Sequence, residues 1–123
     1  MTRPQEIKRR FEQLIDKHLL ELVSGKADRM MEIEDFAAGL FIHPTHLGDT
    51  IKSCSGTSAC GIYQIKILQV AQQLLSDDKR PVRDIAFLLT YDPSQFTKWF
   101  KRVSGITPRK FRNNLKQQNR QIL

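Results

Sequence analysis

Two stretches of this chain align without a gap at an offset of 49 residues. Residues 33–56 read IEDFAAGLFIHPTHLGDTIKSCSG, and residues 82–105 read VRDIAFLLTYDPSQFTKWFKRVSG. Identities fall at Asp35 and Asp84, Ala37 and Ala86, Leu40 and Leu89, Pro44 and Pro93, Lys52 and Lys101, and Ser55-Gly56 and Ser104-Gly105. Apolar positions pair as well: Ile33 with Val82, Phe36 with Ile85, Leu47 with Phe96, Ile51 with Phe100, and Cys54 with Val103. Apolar periodicity alone arises in any two amphipathic helices, whereas the same proline, turn and glycine in register do not. The chain carries two copies of one supersecondary unit.

Each copy predicts a short helix, a tight turn and a second helix of about ten residues, the helix-turn-helix arrangement in which the second helix can enter a major groove. Before the first copy, Thr2 and Gln5 form a capping box for a helix whose apolar stripe is Phe11, Leu14, Ile15, His18, Leu19 and Leu22. Between the copies the longest helix is expected from about Ser58 to Ser76, with Ile62, Ile65, Leu68, Ala71, Leu74 and Leu75 buried. At roughly 1.5 Å per residue it spans about 28 Å, close to the roughly 34–36 Å of one DNA turn. Asp92-Pro93-Ser94-Gln95 reads as a second capping box, and Thr107-Pro108 opens a last helix holding Phe111 and Leu115, with fraying expected over residues 117–121. No strand pattern competes.

The expected fold class is all-α, about seven helices in two helix-turn-helix subdomains joined by a long linking helix. Residues 1–57 form the first subdomain with its N-terminal helix, 58–76 the linking helix, and 77–123 the second subdomain with a basic C-terminal tail.

Charge points to the partner. Residues 1–80 hold 11 basic and 11 acidic side chains, while residues 81–123 hold 9 basic and 2 acidic, so the whole net charge of +7 sits in the second part. After Asp92 there is no acid at all. Such a field attracts a polyanion, nucleic acid ahead of an acidic protein or membrane surface, and weakens with salt, although for Lys116 and Arg120 a solubilising tail is a fair account. No apolar run approaches the roughly 20 residues that span a bilayer, and no charged-then-apolar leader opens the chain, so no membrane or secretory role is expected. Two cysteines, Cys54 and Cys60, suggest a reducing cytoplasm over a disulfide scaffold.

The base-reading candidates on the two second helices are Thr45, His46 and Asp49 in the first unit, and Ser94, Gln95, Thr97 and Lys98 in the second. Gln95 suits adenine and Lys98 guanine, Thr45 a thymine methyl, and Asp49 a cytosine amino group. Asp49 is nonetheless better read as a solvated acid on a weakly engaged helix. Lys52, Lys101, Arg102, Thr107, Arg109 and Lys110 are the phosphate-contact candidates. Trp99 is placed in the core, as is His18, and Cys54 is expected to be buried through its pairing with Val103. No catalytic residue, cofactor site or metal site is expected: the histidines and cysteines lack zinc-ligand spacing, and no Walker loop, dinucleotide fingerprint or nucleophile elbow occurs.

With these residues in place, the chain resembles the DNA-binding domain of the AraC/XylS family of bacterial transcription regulators over about residues 8–112. The motifs are DFAAGLFIHPTHLGDTIKSCSG from Asp35 and IAFLLTYDPSQFTKWFKRVSGITPRKF from Ile85, including Phe96, Phe100-Lys101, Gly105, Pro108 and Phe111. The resemblance implies a sequence-specific double-stranded DNA-binding regulator in the cytoplasm, associated with the nucleoid. It also implies an asymmetric promoter site and activation through contact with RNA polymerase. Groove-reading positions then fall on Thr45, Gly48 and Asp49, and on Ser94, Gln95, Thr97 and Lys98. Family members often carry arginine where Asp49 stands, and usually open the second turn with Gly-Phe and one residue more, where this chain has Thr90-Tyr91-Asp92. The family's frequent linking-helix arginine falls on Ile67. Most relatives carry a separate sensing or dimerisation domain as a further partner; Met1 favours a standalone regulator. The alternative reading is a helical protein-interaction module of the same fold with non-selective DNA binding.

Overall fold

The computed structural model describes residues 1–122. Among them are seven α-helices: α1 (Arg3–Val23), α2 (Ile33–Gly39), α3 (Pro44–Ser55), α4 (Ala59–Leu75), α5 (Val82–Leu88), α6 (Pro93–Ser104) and α7 (Pro108–Ile122). The described residues divide into two compact units, residues 1–66 and the residues from 67 onward, with the boundary inside α4.

Helix α1 starts where the sequence says it must. The Gln5 N–H donates to Thr2 Oγ1 at 3.3 Å and the Thr2 N–H donates to Gln5 Oε1 at 3.0 Å, satisfying two otherwise orphaned donors. It ends in a Schellman turn at Gly25 (φ +81°), whose N–H reaches Leu22 O while the Lys26 N–H reaches Glu21 O. Ile7, Phe11, Ile15, His18, Leu19 and Leu22 are buried along one face; Leu14, expected among them, is half-buried.

Phe36 of α2 is the hub of the first unit. Fully buried, it meets Phe11, His18 and Tyr63 edge-on, at centroid distances of 5.8, 5.9 and 5.0 Å. Such T-shaped contacts set a positive ring edge against a negative face. His18 and Tyr63 also hold the loop after α1. Met31 donates its N–H to His18 Nε2 at 2.9 Å, and its carbonyl accepts from the Tyr63 hydroxyl at 2.8 Å. His18, 4% exposed, is thus the satisfied core residue expected, and burial holds its pKa below the ordinary histidine value.

In the second unit, Tyr91 stacks on Trp99 at 5.3 Å and Phe96 lies 5.9 Å from Phe100. Phe100 meets Phe111 edge-on at 5.8 Å, which docks the start of α7 onto α6. Trp99 is 5% exposed, in the core as the sequence indicates.

The linking helix corrects the sequence reading. Its buried positions are Ala59, Tyr63, Ile67, Ala71 and Leu75, four residues apart, a strip that winds gradually round the helix. Of the expected set only Ala71 and Leu75 are buried; Ile62, Leu68 and Leu74 are half-buried and Ile65 is 50% exposed. Apolar residues occur on nearly every face of α4, so spacing alone could not choose the stripe. At its start Ser58 Oγ accepts from the Gly61 N–H at 2.9 Å.

Asp92 is the N-cap of α6 but makes no cap bond to the helix backbone, its carboxylate accepting instead from the Ser94 hydroxyl at 3.2 Å. Cys54 is half-buried, not buried, and sits beside Gln5, Lys8, Arg9 and Glu12 of α1. Helix α7 continues through the segment expected to fray, to Ile122.

Candidate nucleic-acid interface

The two units repeat at the level of single hydrogen bonds. Helix α2 ends with the Phe41 N–H on Ala38 O and the Ile42 N–H on Ala37 O; α5 ends with Thr90 on Phe87 O and Tyr91 on Ala86 O. Both are Schellman turns. Their left-handed residues are Phe41 (φ +59°) and Thr90 (φ +66°), neither of them glycine. Four residues then separate each pair of helices, and Pro44 and Pro93 open the second helices, where a missing N–H costs nothing. Those helices close alike. Ser55 Oγ lies 2.7 Å from Ile51 O and 3.0 Å from Thr57 O; Ser104 Oγ lies at the same two distances from Phe100 O and Ile106 O. Gly56 and Gly105 follow with φ of +77° and +90°.

This framework fixes which faces α3 and α6 present. Leu47, Thr50 and Ile51 are buried on α3, and Phe96, Trp99 and Phe100 at the matching positions of α6. Thr50, absent from the expected core, corresponds to Trp99. Opposite these positions, Ser94, Gln95, Lys98, Lys101 and Arg102 of α6 are exposed and Thr97 is half-buried. The same face of α3 exposes Thr45, His46, Asp49 and Lys52. At one equivalent position the charge reverses, Asp49 against Lys98.

Hydrogen bonds sort the candidates further. The Thr97 hydroxyl donates to Pro93 O at 3.1 Å and Ser94 donates to Asp92, so both hydroxyls are engaged locally. Lys52 Nζ donates to Gly56 O at 3.1 Å, capping its own helix. Thr107 Oγ1 accepts from the Lys110 N–H at 3.2 Å and caps α7. Gln95, Lys98, Lys101 and Arg102 project as the outward polar set of α6, and Arg109 and Lys110 lie exposed in the first turn of α7. In α3 the Thr45 N–H is taken by His43 Nδ1 at 3.1 Å, a cap the sequence reading did not anticipate.

Arg112, also in the basic stretch after Asp92, is held internally. Its guanidinium donates to Leu75 O at 3.0 Å, Asp77 O at 3.1 Å and Arg80 O at 2.6 Å, tying the end of α4 and the following turn to α7. Among the described residues, no group of three or more His, Cys, Asp or Glu is placed to hold a metal ion, and no helix is long and apolar enough to cross a membrane.

A protein-family model described as a helix-turn-helix domain matches residues 36–114, from α2 into α7. The chain belongs to that helix-turn-helix family. Among solved structures it resembles the C-terminal domain of AraT, a response regulator from Geobacillus stearothermophilus, at 27% identity and TM-score 0.76, covering 92% of this chain and 88% of that one. An AraC-type transcriptional regulator from Chromobacterium violaceum matches at 20% identity and TM-score 0.65, covering 86% and 96%. A DNA-binding transcriptional dual regulator from Escherichia coli K-12 matches at 18% and 0.65, covering 84% and 93%. No curated protein sequence matches at a significant level. The chain thus shares its fold with the C-terminal domain of a response regulator and with an AraC-type regulator, over the helix-turn-helix region that the family model matches.

Proposed function

We propose that this protein is a sequence-specific double-stranded DNA-binding transcription regulator of the AraC/XylS type. Its two helix-turn-helix subdomains, joined by α4, take successive major grooves of an asymmetric site. The observation that carries this reading is the repeated unit, which in each copy turns one polar helix face away from its own apolar core. Gln95 and Lys98 address bases from α6, while Lys101, Arg102, Arg109 and Lys110 hold phosphates. Helix α3 contributes Thr45 and His46 to base contact, and Lys52 and Thr107 support the grip on the DNA backbone from helix ends. Asp49 makes the first unit the weaker contributor, because a carboxylate is repelled by phosphate unless it accepts from a cytosine amino group. Activation through RNA polymerase and work beside a sensing or dimerisation domain belong to the same reading. The AraC-type and response-regulator likenesses, together with the basic excess after Asp92, support it.

Selection from a randomised duplex pool at about 150 mM salt, where non-specific binding is already weakened, tests the proposal. Two information-rich blocks about one turn apart are the expected result. One block assigns reading to a single unit, and no enrichment overturns sequence-specific regulation.

A further inference from the structure

The first unit carries an open groove between α1 and the end of α2. Its lining is Arg10, Gln13, Leu14 and Lys17 of α1 with Gly39 and Leu40 at the end of α2, around a volume of about 180 Å³. In the second copy the position of Gly39 is occupied by Leu88. A Cβ at Gly39 would lie 3.4 Å from Leu14 Cδ1, an ordinary contact, so packing does not demand glycine there. Gly39 lines the groove without contributing a side chain to it.

The residue after Leu40 is Phe41, 91% exposed and held at φ +59°. Thr90 adopts the same backbone conformation in the second copy, so the turn requires no aromatic ring. Relative to that copy, bulk is removed at Ala38 and Gly39, where Phe87 and Leu88 stand, and placed at Phe41. A non-glycine residue in a left-handed turn costs local stability. Strained or costly positions beside an open site are candidates for function.

Charge gives the groove its selectivity. In this unit Lys8 pairs with Glu12, Arg9 with Glu6, Arg29 with Asp35 and Lys66 with Asp16. Arg10 and Lys17, one turn to either side of Leu14, form no ion pair among the described residues. An apolar floor thus lies between two unneutralised cations. We infer that the groove docks an acidic segment of a partner protein, with carboxylates on Arg10 and Lys17 and an apolar side chain on Leu14 and Leu40, the exposed Phe41 following next in the chain. A nucleic-acid backbone would satisfy the cations but leave the floor and the exposed ring unused. This surface uses none of the residues assigned to DNA.

A random peptide library displayed against the full chain tests the inference. Peptides with Asp or Glu flanking a large apolar residue should be enriched. Their affinity should fall about tenfold or more in the Arg10→Glu/Lys17→Glu variant, as expected for losing two ion pairs and adding repulsion. It should also fall in Phe41→Thr, which copies the second unit's turn, and in Gly39→Leu, which fills the floor. Circular dichroism and duplex affinity should be unchanged in all three. Absence of acidic peptides, or affinity indifferent to these changes, overturns the inference. Weaker duplex binding by the charge-reversed variant would assign the cations to nucleic acid. Self-association of the wild type that Phe41→Thr abolishes would give the groove to a second copy of the chain.

Discussion

Phe41 and Thr90 occupy the same left-handed position in two copies of one Schellman turn, at φ +59° and +66°. Glycine is the usual occupant, because a Cβ there crowds the following carbonyl and costs roughly 1–2 kcal/mol. Thr90 adds β-branching to that cost. Thr90→Gly should therefore stabilise the protein by about 1 kcal/mol, after allowing for the greater freedom of glycine in the unfolded chain. Phe41→Gly should stabilise by a similar amount while removing the exposed ring. Denaturant unfolding of each variant checks this; a loss of stability at both sites would mean that the side chains make contacts worth more than the strain.

Arg112 is a structural arginine in a basic stretch. Hydrogen bonds from a charged donor contribute roughly 1.5–3 kcal/mol, and three carbonyls at the end of α4 and in the next turn depend on this one guanidinium. Arg112→Met should lower stability by about 2 kcal/mol yet leave the salt dependence of duplex binding unchanged. Denaturant unfolding together with titrations at several salt concentrations separates the two effects.

His18 makes stability depend on pH. Burial is the largest influence on it and lowers its pKa from the ordinary 6.5; Glu21 and Asp35 oppose that shift and Arg29 adds to it. The unfolded chain therefore takes up a proton near pH 6.5 that the folded chain accepts only at lower pH. The stabilisation is present above 6.5 and declines as pH falls below it, by at most about 1.4 kcal/mol per pH unit. Protonation would also remove the Nε2 lone pair that accepts from Met31. Comparing unfolding of the wild type and His18→Gln from pH 7 to pH 5 should show a flatter profile in the variant.

On the proposed DNA face, Gln95 and the pair Lys101 and Arg102 should fail differently. Gln95→Ala should cost about 1–3 kcal/mol on the selected site and relax one base position. Replacing Lys101 and Arg102 with Ala should weaken binding to every duplex and lower the salt slope by about 0.9 per lost phosphate contact. Fluorescence anisotropy titrations on specific and scrambled duplexes, repeated across salt, distinguish base reading from backbone grip.

Much of this architecture is legible in the residues themselves. The offset repeat, the proline that opens each second helix and the Ser-Gly that closes it are local signals. The structure turns them into matching bonds at Ser55 and Ser104. The capping box at Thr2 is local too, since its partners lie three residues apart. The outward faces of α3 and α6 follow from helical spacing because each helix has one apolar side and one polar side.

Other features required the folded chain. Helix α4 is apolar nearly all round, so only the groups packed against it select Ala59, Tyr63, Ile67, Ala71 and Leu75 as its buried face. The partners of Arg112 are backbone carbonyls 32 to 37 residues away, and carbonyls carry no mark in a sequence. The bonds from Tyr63 and to His18 that hold Met31 are long-range in the same way. Short-range chemistry thus determined where the helices begin, end and repeat; which surfaces close against one another was decided by tertiary packing, because burial is a property of the whole assembly of side chains and not of any one segment.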